Sequence, residues 1–110
     1  MLNVEDFSDN YTLQNLIIKF NKFIDKGKTN KINKILEQFE DLLEDEDSVV
    51  PVSYIFSILA ENRIDLISED LIKKLEPYLD SDNLKLKINT IIIFGFYILK
   101  YPEKISFSNF

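Results

Sequence analysis

Apolar residues recur along the chain at the three- and four-residue spacing of an α-helix. The first such segment runs from Tyr11 to Lys26, the second from about Thr29 to Asp45, and the third from about Ser48 to Asn62. Two more helices, joined by a polar turn, lie between Glu69 and Leu99. Short connections between helices with matching apolar stripes favour antiparallel packing. The pattern predicts an all-α protein of about five antiparallel helices.

Residues at the segment ends supply capping signals. Gly27 follows the first segment, in the position that favours a glycine C-cap. Thr29 or Asn30 is the expected N-cap of the second helix and Ser48 that of the third. Pro51 then falls in the first turn of the third helix, where its missing N–H costs nothing. Residues 1–10 are expected to form a lead-in whose apolar residues touch the first helix.

Capping and turn residues indicate where the two helices between Glu69 and Leu99 begin and end. Ser68 is an expected N-cap, and Pro77 is expected to kink the fourth helix rather than end it. The run Asp80 to Asn83 then supplies turn residues. Its acidic side chains resemble a carboxylate pair for acid–base chemistry, but a turn and capping role is favoured because no pocket signal or histidine accompanies them.

The fifth helix is apolar on almost every side, so neighbours are expected to cover both of its flanks. Gly95 lies within it, where glycine costs about 1 kcal/mol relative to alanine. Close packing of another helix is favoured over a hinge as the reason, so a Gly95→Leu variant is expected to lose cooperative melting. One apolar stripe consists of Ile88, Ile91, Ile92, Gly95, Ile98 and Leu99, and the opposite side carries Ile93, Phe94 and Tyr97.

An internal repeat supports this division. A shift of 36 residues places Phe39 on Leu75, Ile55 on Ile91 and the acidic turn Glu44 to Asp47 on Asp80 to Asn83. Two-helix repeats of this length are typical of α-solenoids. The chain is therefore divided as one domain, 1–110, with a half repeat at 11–26, repeats at 29–62 and 68–101, and a remainder at 102–110.

The second repeat carries a family resemblance. Leu75, Pro77, Leu79, the Asp80–Asn83 turn, Leu86-Lys87, Thr90 and Ile93-Phe94-Gly95 resemble a HEAT repeat. Lys87 stands where the family usually has arginine, and Thr90 and Ile93 replace small residues. The resemblance implies a short HEAT-like stack, an α-solenoid fragment, that presents an extended protein-binding surface.

Ile105-Ser106 resembles Ile67-Ser68, so residues 106–110 are interpreted as the beginning of a further helix. Truncation from a longer protein or oligomer formation is favoured over a tail that folds back as a cap, because a terminal repeat normally needs a polar outer face. If Ile93, Phe94 and Tyr97 are uncovered, each forfeits roughly 1.5–3 kcal/mol of burial.

Composition narrows the function classes. The 110 residues contain no Cys and no His, which removes thiolate chemistry and the usual general base and metal ligand. No catalytic activity, cofactor or metal is expected. The net charge of −6 argues against nucleic acid and anionic membranes as partners. The nine-residue apolar run Ile91 to Leu99 is too short to span a bilayer, and a cytoplasmic location is the default.

Three surfaces are candidate contact sites. The segment Glu37 to Asp47 holds seven acids and no basic residue, and a solvated helix end is favoured over docking or cation binding. Its residues Glu44, Asp45, Glu46 and Asp47 are the candidate docking patch. The fifth helix offers Ile93, Phe94, Tyr97 and Tyr101, because aromatic residues dominate binding hot spots; ordinary core is slightly favoured over a contact role for its aromatic residues.

Basic charge is concentrated in the first hairpin, which carries six lysines against Asp25 alone. A solvated face is favoured over phosphate binding, because no arginine and few aromatic residues accompany them. The lysines are Lys19, Lys22, Lys26, Lys28, Lys31 and Lys34.

The sequence as a whole predicts a non-catalytic scaffold or adaptor module that binds another protein, or associates with itself, through the fifth helix. The alternatives are a nucleic-acid-associated HEAT-like domain, and an accessory or regulatory subunit, or fragment, of a larger enzyme complex.

Overall fold

The computed structural model describes residues 2–7 and 9–104, and within them the regular structure is helical, without a β-strand. The all-α prediction with five α-helices is thereby confirmed. The chain forms two compact units, residues 1–52 and residues 53–110. The helices are α1 (Tyr11–Lys26), α2 (Thr29–Leu42), α3 (Val49–Asn62), α4 (Glu69–Leu75) and α5 (Leu84–Lys100).

In the first unit, α1 has the predicted limits because both ends are capped. The Asn10 side chain accepts a hydrogen bond from the Leu13 N–H at 3.1 Å. Gly27 ends the helix in the left-handed region, with φ 64°, a conformation that costs glycine little. The glycine C-cap is confirmed, whereas the Asn10 cap was not predicted.

Helices α1 and α2 pack against each other through their apolar stripes. The rings of Phe20 and Phe39 lie 6.2 Å apart between centroids, and both side chains are fully buried. The lead-in also packs on α1, as predicted: Leu2 and Phe7 are buried. The Asn21 amide holds this lead-in, because its Nδ2 donates to the Leu2 carbonyl at 2.8 Å and its Oδ1 accepts from the Leu2 N–H at 2.9 Å.

The start of α2 at Thr29 is as predicted, but its N-cap is Lys28, without a side-chain hydrogen bond, rather than Thr29 or Asn30. Its end at Leu42 is three residues earlier than the predicted Asp45. The acidic side chains that follow Leu42 are unfavourable at the negative end of a helix dipole, which accounts for the early end. Turns then lead to Ser48, whose carbonyl accepts the Val52 N–H at 2.9 Å at the start of α3.

The second unit begins within α3, at Ser53, and contains α4 and α5. Ser68 caps α4 as predicted, by accepting the Leu71 N–H at 3.1 Å. The α-helical part of α4 ends at Leu75, and the chain continues as a 3₁₀ helix, Glu76–Asp80, that contains Pro77. Proline lacks the N–H that an α-helix interior requires, so the α-helix ends at Leu75 and the chain continues in the tighter 3₁₀ form. The prediction that Pro77 kinks the α-helix rather than ends it is therefore wrong.

One side of α5 packs within the second unit. It contacts the 3₁₀ helices Ile64–Leu66, Glu76–Asp80 and Pro102–Lys104. In addition, Asn89 Nδ2 donates to Ser53 Oγ of α3 at 3.0 Å. The buried residues of α5 are Leu86, Thr90, Ile93, Phe94 and Tyr97.

Two predictions about α5 are wrong. Its other side is exposed, so neighbours do not cover both flanks. Apart from the adjoining backbone of α5 itself, no atom of the described residues lies within 4 Å of the position that a Cβ on Gly95 would occupy, so no helix of the described part of the chain crosses there. The helix predicted to begin at residues 106–110 lies outside the described residues.

Candidate functional site

The exposed side of α5 carries large apolar residues, which we term the outer face of α5. These side chains are arranged along the whole length of the helix, and three of them are more than half exposed. Patches of a few hundred Å² on monomeric proteins are often functional. The outer face consists of Leu84 (68% exposed), Ile88 (46%), Ile91 (51%), Ile92 (39%) and Leu99 (81%), with Gly95 among them.

The spacing along this face matches that of a helix-packing seam. Leu84, Ile88, Ile91, Gly95 and Ile98 follow one another at alternating steps of four and three residues. This is the spacing at which one helix packs along another at a crossing angle of about 20°. The open space over Gly95 forms a low point in the middle of the seam.

Basic side chains border the outer face. At 100° per residue, Lys85 and Lys87 lie on its two opposite sides near the amino end of α5, whereas Lys100 points away from it. The helix contains no acidic residue; Asp82 precedes it and Glu103 follows it. The face is therefore an apolar strip with one lysine on each side of its amino end.

The structure places the predicted aromatic contact residues on the opposite, packed side of α5. Ile93, Phe94 and Tyr97 are buried. The burial free energy that these side chains would lose if they were uncovered is therefore not lost. Tyr101 is half-buried, and its ring lies 5.0 Å from that of Tyr97. A partner does not reach the three buried side chains while the fold is intact. Accessible apolar surface lies instead on the stripe that begins at Leu84.

Tyr97 lies close to a charged pair. Lys104 Nζ is 3.2 Å from Glu69 Oε1, and this carboxylate raises the pKa of Lys104 through its hydrogen bond and its charge. The pKa of Tyr97 is raised because burial disfavours the phenolate, and the negative charge of Glu69 adds to this. A neutral tyrosine that packs against apolar neighbours has a structural role here.

The candidate docking patch Glu44, Asp45, Glu46 and Asp47 lies in the turns between α2 and α3, with all four residues exposed. Asp45 Oδ2 accepts a hydrogen bond from Ser48 Oγ at 2.8 Å, which orders the entrance to α3. Among the described residues, no three acidic side chains are grouped to hold a metal ion. A docking role for this patch stays a prediction.

The turn before α5 shows the favoured capping chemistry. Asn83 Oδ1 accepts the Leu86 N–H at 3.1 Å, and Ser81 Oγ accepts the Asn83 N–H at 3.0 Å. Asp80 and Asp82 are exposed. The turn and capping interpretation is confirmed for Asn83.

All six lysines of the α1–α2 hairpin are exposed. Lys31 Nζ lies 5.2 Å from the centre of the Phe23 ring, within the range of a cation–π contact. A shallow depression of about 320 Å³ at the start of α2 is lined by Lys28, Thr29, Asn30 and Lys31. The hairpin therefore presents a positive surface without a buried polar group that would define a specific anion site.

Sequence reasoning identified the Ile88 stripe but expected another helix to cover it. No sequence signal marks this stripe as the accessible one, because both stripes of α5 are apolar and have helical spacing. No helix in the described residues is long and apolar enough to cross a membrane. No family model matches the chain, and no curated protein or solved structure matches it either.

Proposed function

We propose that the protein is a non-catalytic interaction module, of scaffold or adaptor type, that binds another protein through the outer face of α5. The observation that carries this proposal is the exposure of five large aliphatic residues on one helix face. Full burial of one exposed aliphatic side chain contributes about 1.5–3 kcal/mol, so a partner that covers the exposed 39–81% of each of these five gains a corresponding part of that free energy. A HEAT-like arrangement is part of the proposal and is supported by the 36-residue pattern and by the helical fold.

Photo-crosslinking in the native cell tests the function. A photoreactive amino acid replaces Ile91 in one variant and Ile18 of α1 in a matched control, since these isoleucines are 51% and 53% exposed. We expect discrete adducts from position 91 that disappear when Ile88→Asp is added, and none of these adducts from position 18. Identical adduct patterns at both positions, or no adduct at position 91, would contradict the proposal.

The exposed lysines of the α1–α2 hairpin favour a second candidate, a nucleic-acid-associated domain. Phosphate contacts release counterions, so such binding weakens steeply with salt. A duplex-binding titration at about 50 mM and 200 mM salt checks it. Salt-dependent affinity that is lost in a Lys22→Glu/Lys31→Glu variant would support this candidate, and no affinity at the lower salt would exclude it.

A further inference from the structure

We propose that the occupant of the outer face of α5 is a single amphipathic helix of a partner protein, with acidic side chains flanking its apolar stripe. The inference rests on the proposed function and specifies the chemistry of the partner. It follows from the shape of the face, from the charges along its borders, and from the poor fit of a second copy of this chain.

The shape of the face fits a helix. From Leu84 to Leu99 it extends for about 22 Å, which is four turns of an α-helix. The alternating four- and three-residue seam offers the holes into which side chains of a second helix insert. At Gly95 the open space lets the backbone or a bulky side chain of the partner approach α5 closely. An extended peptide, with its two-residue period, does not match this spacing.

The lysines beside the face favour a partner helix whose apolar stripe is flanked by acidic residues. Lys85 and Lys87 lie on opposite sides of the strip near its amino end. The residues Asp82 and Glu103 lie beyond the two ends of α5 and not along its length. A partner helix with glutamates beside its apolar stripe pairs with both borders, whereas a partner with lysines there is repelled.

A second copy fits less well. Two α5 helices that pack in parallel bring Lys85 and Lys87 of both copies together, which is repulsive, and in an antiparallel pair these lysines meet no acidic residue of α5. The exposed side of α1 carries Lys19 and Lys22 and repels the same borders. The acidic turn Glu44 to Asp47 has complementary charge, but large apolar residues are not exposed there.

Two labelled peptides of about 18 residues provide the probe, each long enough to follow the whole strip. Both carry Leu at helical a and d positions; one has Glu at the flanking positions and the other has Lys. We expect the Glu peptide to bind about tenfold more tightly at 50 mM salt, because several exposed charge pairs each contribute modestly. Fluorescence anisotropy with the full chain measures both affinities.

Three variants assign the binding to this face. Ile91→Asp is expected to weaken the Glu peptide by at least about tenfold, since it places a charge under an apolar contact. Ile18→Asp is the control and is expected to leave binding unchanged. Lys85→Glu/Lys87→Glu is expected to reverse the preference between the peptides. All four residues have side chains that are exposed or half-buried, so circular dichroism is expected to show an intact fold in each variant.

Gly95→Leu separates binding from stability. A Cβ added at this position meets no atom of the described residues outside the adjoining backbone of α5, and leucine favours a helix over glycine, so the melting temperature is expected to stay the same or rise. The same change fills the low point of the seam, so the affinity for the Glu peptide is expected to fall about fivefold or more. A lower affinity in a variant of undiminished stability supports close approach of a helix at Gly95.

Other outcomes overturn the inference while the proposed function can stand. Equal affinity for both peptides rejects acidic flanks. If neither peptide binds and crosslinks persist at position 91, the partner is not such a helix. Dimerisation in light scattering that Ile91→Asp abolishes identifies a second copy as the occupant. Deletion of residues 105–110 that raises peptide affinity by more than about tenfold identifies the carboxyl-terminal residues of this chain as the occupant.

Discussion

Helices α3 and α5 carry apolar residues at positions that match under a 36-residue shift, but they bury opposite sides. Val52, Ile55 and Phe56 of α3 are buried, whereas their counterparts on α5, Ile88, Ile91 and Ile92, are exposed. In the other direction, Tyr54 and Glu61 of α3 are exposed and their counterparts Thr90 and Tyr97 are buried.

The difference shows that the repeat exists in the pattern of residue types but not in the environment of each residue. An apolar side chain on α3 stabilises the fold, and its counterpart on α5 is available for binding. Leu59 and Gly95 are the extreme case, because a fully buried leucine corresponds to an exposed glycine. Substitutions at matched positions therefore separate the two roles.

The largest contrast is expected for Ile55→Ala and Ile91→Ala. Ile55 is fully buried, so its truncation is expected to lower the free energy of unfolding by about 2–5 kcal/mol. Ile91 is about half exposed, so the change there is expected to stay below about 1 kcal/mol. Urea unfolding of both variants measures the values. Equal losses would show that the outer face of α5 is covered in solution.

The two glycines are expected to respond to alanine with opposite signs. Gly27 has φ 64°, where an alanine costs about 1–2 kcal/mol. Gly95 is helical and its Cβ position is open, so alanine is expected to stabilise by about 0.5–1 kcal/mol. Thermal melts of both variants compare the signs. Destabilisation by Gly95→Ala would restore the view that a packed helix crosses α5 there.

The hydrogen bond between Asn89 and Ser53 joins residues that are themselves 36 positions apart. Ser53→Ala and Asn89→Ala are each expected to cost about 0.5–1.5 kcal/mol, with a measurable coupling in the double variant. Asn62→Ala is a matched control, because its amide donates to the Ile58 carbonyl in an exposed setting. Additive losses in the double-variant cycle would mean that this contact does not tie α3 to α5.

The smallest effect is expected at high pH. Burial and Glu69 raise the pKa of Tyr97 above its ordinary value of 10.0, so the unfolded chain loses this proton first. The stability that Tyr97 contributes is thus present below pH 10 and is lost as the pH rises through its folded pKa. Tyr97→Phe is expected to flatten the fall in melting temperature above pH 10. A smaller fall remains from Lys104, whose pKa is also raised; an unchanged slope would exclude Tyr97 as a cause.

Local signals allowed much of the fold to be predicted. Gly27 and Ser68 have the caps that their positions indicate, because capping depends on a few neighbouring backbone groups. The early end of α2 was missed because the apolar spacing continues through Leu43, while the acids beyond oppose the helix dipole.

The choice of accessible face on α5 could not be predicted in the same way. Both of its stripes are apolar and both have helical spacing, so periodicity alone does not show which stripe is packed. That choice depends on packing against 3₁₀ helices far along the chain, such as Ile64–Leu66. Gly95 was ambiguous for the same reason. A glycine within an apolar stripe suits close packing of a helix from the same chain, and it suits close packing of a partner equally well.

The Asn21 side chain makes hydrogen bonds with both the N–H and the carbonyl of Leu2, as the backbone of a neighbouring β-strand would. The chain near Leu2 is therefore fixed to α1, although it precedes the first residue of that helix by several positions. A fluorophore or spin label placed near Leu2 reports on the tumbling of α1 and not on a loose chain end, and hydrogen exchange at the Leu2 amide follows the opening of that contact.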